Sequence, residues 1–251
     1  NLVCTLSFHC TPLAWHHNLS WRIPFLLSTV FLIIAWYTLP KQHATTKQRT
    51  DQPSPIKQIW QQHRYATLYC GIASAINSVF YYCVATFYLN FMLKHSALTP
   101  QHAFLISSIA MLLTCGSITR FARFSDQLGR KKTWRISAMA FMLLSLPLLY
   151  GLSLSNPYLS LLCYSAGMLL VCFNSTNAAG LYTEVFPDSV RYTGLSISYN
   201  MGIGITGALT PALCEWLQQL HASLFVTSLP MLIASALSLI MQALPYPRIY
   251  D

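Results

Sequence analysis

Long apolar runs separated by short charged segments set the pattern of this chain. Uncharged stretches cover residues 23–40, 65–93, 95–119, 136–183, 192–214 and 216–247. A bilayer core about 30 Å thick is crossed by about 20 helical residues, and in hydrocarbon a helix satisfies its own backbone N–H and C=O groups. Each run meets that length. The fourth is about twice as long as one crossing needs, and Ser155, Asn156 and Pro157 interrupt it, so it divides into two helices joined by a tight turn. The pattern predicts an all-α integral membrane protein with seven transmembrane helices.

Composition points the same way. Of 251 residues, 54% are hydrophobic and 8% are charged, against about 25% charged in an ordinary soluble domain. Mean hydropathy is +0.46. The net charge of +9 does not mark a nucleic-acid binder, because the cations lie in short clusters between apolar runs. Eight cysteines show no CxxC pairing, and six of them fall inside apolar runs, where they read as small hydrophobes. No metal or cofactor is expected. The chain begins at Asn1 with no basic n-region, and it reads as a fragment.

The cations orient the spans. Lys41, Lys47, Arg49, Lys57 and Arg64 fall in one connection, and Arg120, Arg123, Arg130, Lys131, Lys132 and Arg135 in another. Both connections are expected on the cytoplasmic side. With alternating connections, Arg191 and Arg248 join them, so 13 of the 15 cations lie inside and only Arg22 and Lys94 outside. The expected organisation is an extracytoplasmic segment at 1–22, a helix at 23–40, a cytoplasmic linker at 41–64, six helices over 65–247 and a cytoplasmic tail at 248–251. The linker is polar and carries Pro53 and Pro55. Its length suits a bridge between two membrane lobes.

Two motifs narrow the class. The connection after the third span reads RFARFSDQLGRKKTW, in which Asp126, Gly129, Arg130 and Lys131 match the core of the loop motif GxLxDxxGR of the major facilitator superfamily. Ala122 and Phe124 stand where that motif has Gly and Leu. The segment LYTEVFPDSVRYTGLSISYN resembles the metabolite:proton symporter branch of the same superfamily, whose carriers include those for proline/betaine, shikimate, citrate and 2-oxoglutarate. Glu184, Phe186, Pro187, Val190, Arg191, Thr193 and Gly194 carry that likeness. WRIPFLL from Trp21 and YNMGIGITGALTP from Tyr199 resemble further segments of the branch.

The resemblance implies that the seven spans correspond to helices six to twelve of the major facilitator fold: the last helix of an N-terminal lobe and a complete C-terminal lobe. It implies secondary, proton-coupled transport of a small polar metabolite or compatible solute by alternating access, in a bacterial inner membrane, with the N-terminus outside and the C-terminus cytoplasmic. The partners implied are the solute, the coupling proton, the lipid bilayer and a missing N-terminal lobe. Asp126, Arg130, Glu184 and Arg191 are expected to form a charged cytoplasmic gate, with Gly129 and Lys131 in the same motif.

Polar side chains inside spans are costly enough to be site candidates. Ser74, Asn77, Tyr81 and Tyr88 recur at helical spacing in the second span, Asn174 and Asn177 in the fifth, and Asn200 follows Ser196 in the sixth. These groups can hydrogen-bond a carboxylate or amide, and the aromatic faces can hold a quaternary ammonium. The competing use is hydrogen bonding between helices. Gly202, Gly204 and Gly207 spell GxGxxG, but no strand precedes them and no acidic residue lies about 20 residues later, so they read as helix-packing residues.

Other seven-helix classes fare worse. A retinal pigment needs a lysine in its last helix, and 216–247 has none; a receptor does not call for the linker or the loop motif. No carboxylate pair, His cluster or nucleophile beside a base lies within the spans, which argues against an enzyme. The alternatives are a truncated remnant that cannot transport alone and a seven-helix receptor.

Overall fold

The computed structural model describes residues 22–38, 54–96, 98–221 and 223–243, and all regular structure among them is helical. Residues 1–21 of the expected extracytoplasmic segment 1–22, most of the linker and the tail lie outside the described residues. Two compact units are present, residues 1–52 and 53–251. Helix α1, Ile23–Thr38, is the described element of the first unit, and its outward side chains, among them Phe31, Leu32 and Trp36, are exposed.

The second unit begins with a short helix α2, Pro55–Gln62, formed from the end of the segment read as linker. There Ile59 is buried while its neighbour Trp60 is exposed. Helix α3, Arg64–Tyr82, continues through a π-helical segment at Cys83–Tyr88 into α4, Leu89–His95. Then come α5 at Pro100–Leu128, α6 at Arg130–Ser153, α7 at Pro157–Glu184, α8 at Arg191–Leu220 and α9 at Leu224–Ala243.

The punctuation read from the sequence is visible in the backbone. Ser155 takes a left-handed φ of 54° between α6 and α7. Asn156 caps α7, accepting from the N–H groups of Tyr158 and Leu159, and Pro157 occupies its first turn. Thr99 and Pro100 start α5 in the same way.

Three boundaries differ from the sequence reading. The charged connection at 119–135 is almost entirely helical: α5 runs to Leu128, α6 starts at Arg130, and Gly129 alone makes the turn, with φ 87° that only glycine adopts freely. Charge ended the hydropathic run but not the helix, since long cationic side chains reach water while the backbone stays helical. Likewise α8 passes through Pro211 and Glu215 to Leu220, so residues 216–220 belong to it and the last helix begins at Leu224. A proline removes one helical hydrogen bond without ending a helix that is held by neighbours.

Among the described residues, five helical stretches are long and apolar enough to cross a membrane: Arg64–His95, Pro100–Leu128, Arg130–Ser153, Pro157–Glu184 and Leu224–Ala243. Helix α8 has the length, at 30 residues, but small and polar positions such as Gly202, Thr206, Gly207 and Thr210 dilute its hydropathy. The bundle carries large apolar side chains on its outer surface, including Leu143, Leu162, Ile205, Leu209 and Ile240. A surface of that kind suits lipid as solvent.

Inside, α3 packs chiefly on α8, α5 on α7, and α6 on both α7 and α9. Small residues set the α3–α8 distance: a Cβ on Gly202 would lie 2.5 Å from the Gly71 carbonyl oxygen and 2.8 Å from the Ala75 nitrogen. The same seam is hydrogen-bonded, with Ser74 donating to the Ser198 carbonyl at 3.2 Å and Thr206 to the Ala75 carbonyl at 3.2 Å. Elsewhere Phe80 and Phe141 stack at 4.1 Å between ring centres, and Trp134 and Tyr164 fill the interior.

Candidate functional site

Helices α3, α7 and α8 line an open cavity of about 780 Å³. Its wall is aromatic: Tyr81 and Tyr82 come from α3, Tyr182 from α7, and Tyr192 and Tyr199 from α8. Tyr81 and Tyr82 meet edge to face at 5.3 Å, and Tyr182 and Tyr199 at 6.0 Å. Asn77, Ser175, Ser196 and Asn200 add amide and hydroxyl groups. Among the described residues no charged side chain lines this space. The hydroxyls of Ser78 and Tyr182 are buried beside it with no hydrogen-bond partner among the described residues.

The seven cavity candidates divide between cavity-lining and helix-joining positions. Asn77, Tyr81 and Asn200 line the cavity. Asn77 accepts from the Asn174 amide at 2.8 Å and from the Ser175 hydroxyl at 3.1 Å. Asn200 donates to the Ser196 carbonyl one turn back at 2.7 Å. Ser74, Tyr88, Asn174 and Asn177 join helices instead.

Tyr88 shows why spacing alone misled. The i, i+7 relation to Tyr81 assumes α-helical phase, but the π-helical turn at Cys83–Tyr88 adds residues to the turn and rotates the remainder of the span. The Tyr88 ring is therefore buried, and its hydroxyl donates to the Ser145 carbonyl at 3.3 Å on α6. Asn174 accepts from Ser137 of α6 at 2.7 Å while donating to Asn77 of α3, so one amide ties three helices. Asn177 accepts from Ser125 of α5 and donates to the Arg130 carbonyl of α6, both at 2.9 Å.

At the end of the bundle where α5 meets α6, the motif residues form a charged cluster. Arg130 lies between Glu184 of α7, at 2.5 Å, and Asp126, at 3.5 Å. Gly180 makes room for it, since a Cβ there would collide with the guanidinium. Arg191 pairs with Asp188 at 2.6 Å and donates from Nε to the Phe186 carbonyl at 3.2 Å. The ion pairs among the gate residues thus fall into two groups, Asp126–Arg130–Glu184 and Asp188–Arg191. Lys131 lines the cleft around the first group.

Tyr82, Tyr182, Tyr192 and Tyr199 escaped the sequence reading, which sought polar positions. A signal was present: Tyr192, Ser196, Tyr199 and Ile203 recur at four, three and four, which is one helical face. Tyr82 and Tyr182 had none, because their place depends on which helices adjoin. The ion pair between Lys94 and Glu215 was also missed. It needs Glu215 inside α8, where the charge pattern had placed a boundary.

Comparison with known proteins agrees with this architecture. Residues 12–211 match the family described as Major Facilitator Superfamily. The chain is 24% identical over 82% of its length to 48% of the alpha-ketoglutarate permease of Escherichia coli. It is 24% identical over 95% of its length to half of a glycine betaine/proline/ectoine/pipecolic acid transporter of Dickeya dadantii, and 26% identical over 88% of its length to 47% of the proline/betaine transporter of Salmonella typhimurium. The chain spans about half the length of the curated relatives it matches. These names describe transport and not enzyme chemistry. No solved structure matches. The chain belongs to the Major Facilitator Superfamily, and it is a multi-pass membrane protein.

Proposed function

We propose that this member of the superfamily forms part of a secondary transporter for a small zwitterionic solute bearing a methylated or cyclic ammonium, of the glycine betaine or proline type. The relatives' names span two chemistries, dicarboxylate and betaine. The observation that favours the second is the uncharged cavity walled by five tyrosines. A dicarboxylate brought there would lose its hydration without meeting a cation. A quaternary ammonium is held by aromatic faces without hydrogen bonds, and one carboxylate can accept from the amide and hydroxyl groups nearby.

Transport requires the remainder of the fold that the full-length relatives contain. In this reading the six helices from α3 onward, counting α3 and α4 as one span, are the C-terminal lobe. The Arg130 cluster closes the cytoplasmic side in the outward-facing state, and proton coupling resides in the other lobe, because the spans here carry no intramembrane carboxylate facing the cavity. The site of action is a bacterial inner membrane, with α3 entering from the cytoplasm.

The test is direct binding of radiolabelled glycine betaine to the purified chain in detergent or nanodiscs, competed with proline and with 2-oxoglutarate. Displacement by proline but not by 2-oxoglutarate is expected. Displacement by the dicarboxylate, with no betaine signal, overturns the proposal.

A further inference from the structure

Cys83 and Cys214 bring their sulfur atoms to 3.7 Å in the buried seam between α3 and α8. Among the described residues they are the one pair of cysteines in sulfur contact; Cys172 reaches a backbone carbonyl, that of Thr114. Their position is particular. Cys83 opens the π-helical segment, the irregular point of the α3 span, and Cys214 comes just after Pro211, the residue whose missing N–H interrupts the hydrogen-bond ladder of α8. Gly207, one turn before Pro211, packs on the Tyr82 ring, where a Cβ would lie 2.6 Å from a ring carbon. The contacts at Tyr82 and Cys83 therefore bracket the proline.

We propose that Cys83 and Cys214 are a redox-active thiol pair, which a lipid-soluble two-electron oxidant such as a quinone or a diazene converts to a disulfide. Two S–H bonds break and one S–S bond forms. The two hydrogens leave with their electrons to the oxidant, giving a quinol or a hydrazine. Closing the sulfurs to bonding distance moves them by about 1.7 Å, within reach of side-chain rotation and a small helix shift. Only an oxidant that enters the bilayer can reach them, since both residues are enclosed by packed helices. The product staples the π-helical segment to the proline turn of α8. These are the two helices whose side chains form most of the tyrosine-walled cavity, so oxidation fixes their spacing at that level.

The test uses membranes from cells expressing the full chain. They are treated with diamide, denatured in SDS, and labelled with a mass-tagged maleimide that counts free thiols. A sample reduced with dithiothreitol takes up eight tags, one for each cysteine. Diamide is expected to remove two, dithiothreitol to restore them, and peptide mapping of the wild-type chain to find the Cys83–Cys214 link. C83S and C214S each abolish that loss, and C163S retains it. Retention of all eight tags, or a mapped link joining any other cysteines in place of these two, overturns the proposal. The mapping on wild-type protein decides the matter even where a variant fails to fold.

Discussion

Asn174 donates its side-chain amide to Asn77 at 2.8 Å and accepts from Ser137 at 2.7 Å, so a single buried residue of α7 joins α3 and α6. Asn77 is also the cavity-lining member of that set. The bond thus connects the cavity wall to the interior of the bundle. Asn174→Ala removes both interactions and leaves the Ser137 hydroxyl without its interhelical partner. Hydrogen bonds between membrane helices are worth roughly 0.6 kcal/mol on average, and Ser137 keeps the Trp134 carbonyl as acceptor at 2.8 Å, so the loss of two bonds should lower stability by about 1 kcal/mol. An unfolding titration in mixed micelles reads this, and an unchanged midpoint contradicts it.

Two glycines of α8, Gly202 and Gly204, should respond differently to one methyl group. At Gly202 the added carbon meets backbone atoms of Gly71 and Ala75, which cannot rotate away, so α3 and α8 must separate. Gly204 has nothing within 4 Å of an added Cβ. Gly202→Ala is expected to destabilise by roughly 2 kcal/mol, in line with overpacking of a close interface. Gly204→Ala is expected to be neutral or to gain up to about 1 kcal/mol of helix propensity. Equal effects at the two positions would show that α3 and α8 do not approach each other as described.

Gly180 and Arg130 form a second pair whose coupling is measurable. An alanine at Gly180 occupies the guanidinium's place and forces Arg130 off Glu184. The ion pair is partly exposed, with Glu184 about half accessible, so it is worth about 0.5 kcal/mol or less and weakens with salt. Gly180→Ala should show the helix-propensity gain of up to about 1 kcal/mol in full in Arg130→Ala, and less of it in the wild-type background, where the ion pair is lost. Additivity of the two changes in a double-mutant cycle would dismiss the contact.

Tyr182 separates binding from stability. Its hydroxyl is buried at the cavity without a partner among the described residues. Tyr182→Phe removes an unsatisfied group and should keep or raise the unfolding midpoint. If that hydroxyl serves the solute carboxylate, the same change weakens glycine betaine binding by roughly tenfold or more, the value of a hydrogen bond to a charged acceptor. Unchanged affinity in Tyr182→Phe would remove the hydroxyl from the site while leaving the aromatic wall to be tested by Tyr199→Ala.

Hydropathy alone was enough for the class of the molecule, because the bilayer imposes one length and one polarity on every segment that crosses it. The helices were legible for that reason, while the turn at Ser155–Pro157 and the glycine at 129 were legible from turn residues and from the loop motif. The family resemblance implied a charged cluster of Asp126, Arg130, Glu184 and Arg191; the first three come together, whereas Arg191 pairs with Asp188.

Phase and neighbourhood stayed open in the linear order. Tyr88 has the spacing of a cavity residue, yet one π-helical turn carries it to Ser145, and no periodicity count includes that turn. Asn174 and Asn177 read as solute ligands but bond to Ser137, Asn77, Ser125 and Arg130, because a polar group between helices takes the nearest partner, and partners come from distant segments. The five tyrosines become one wall only once α3, α7 and α8 lie together. Sequence determined that the chain is a set of membrane helices with charged ends, whereas tertiary packing decided which polar groups hold the bundle and which remain for a solute.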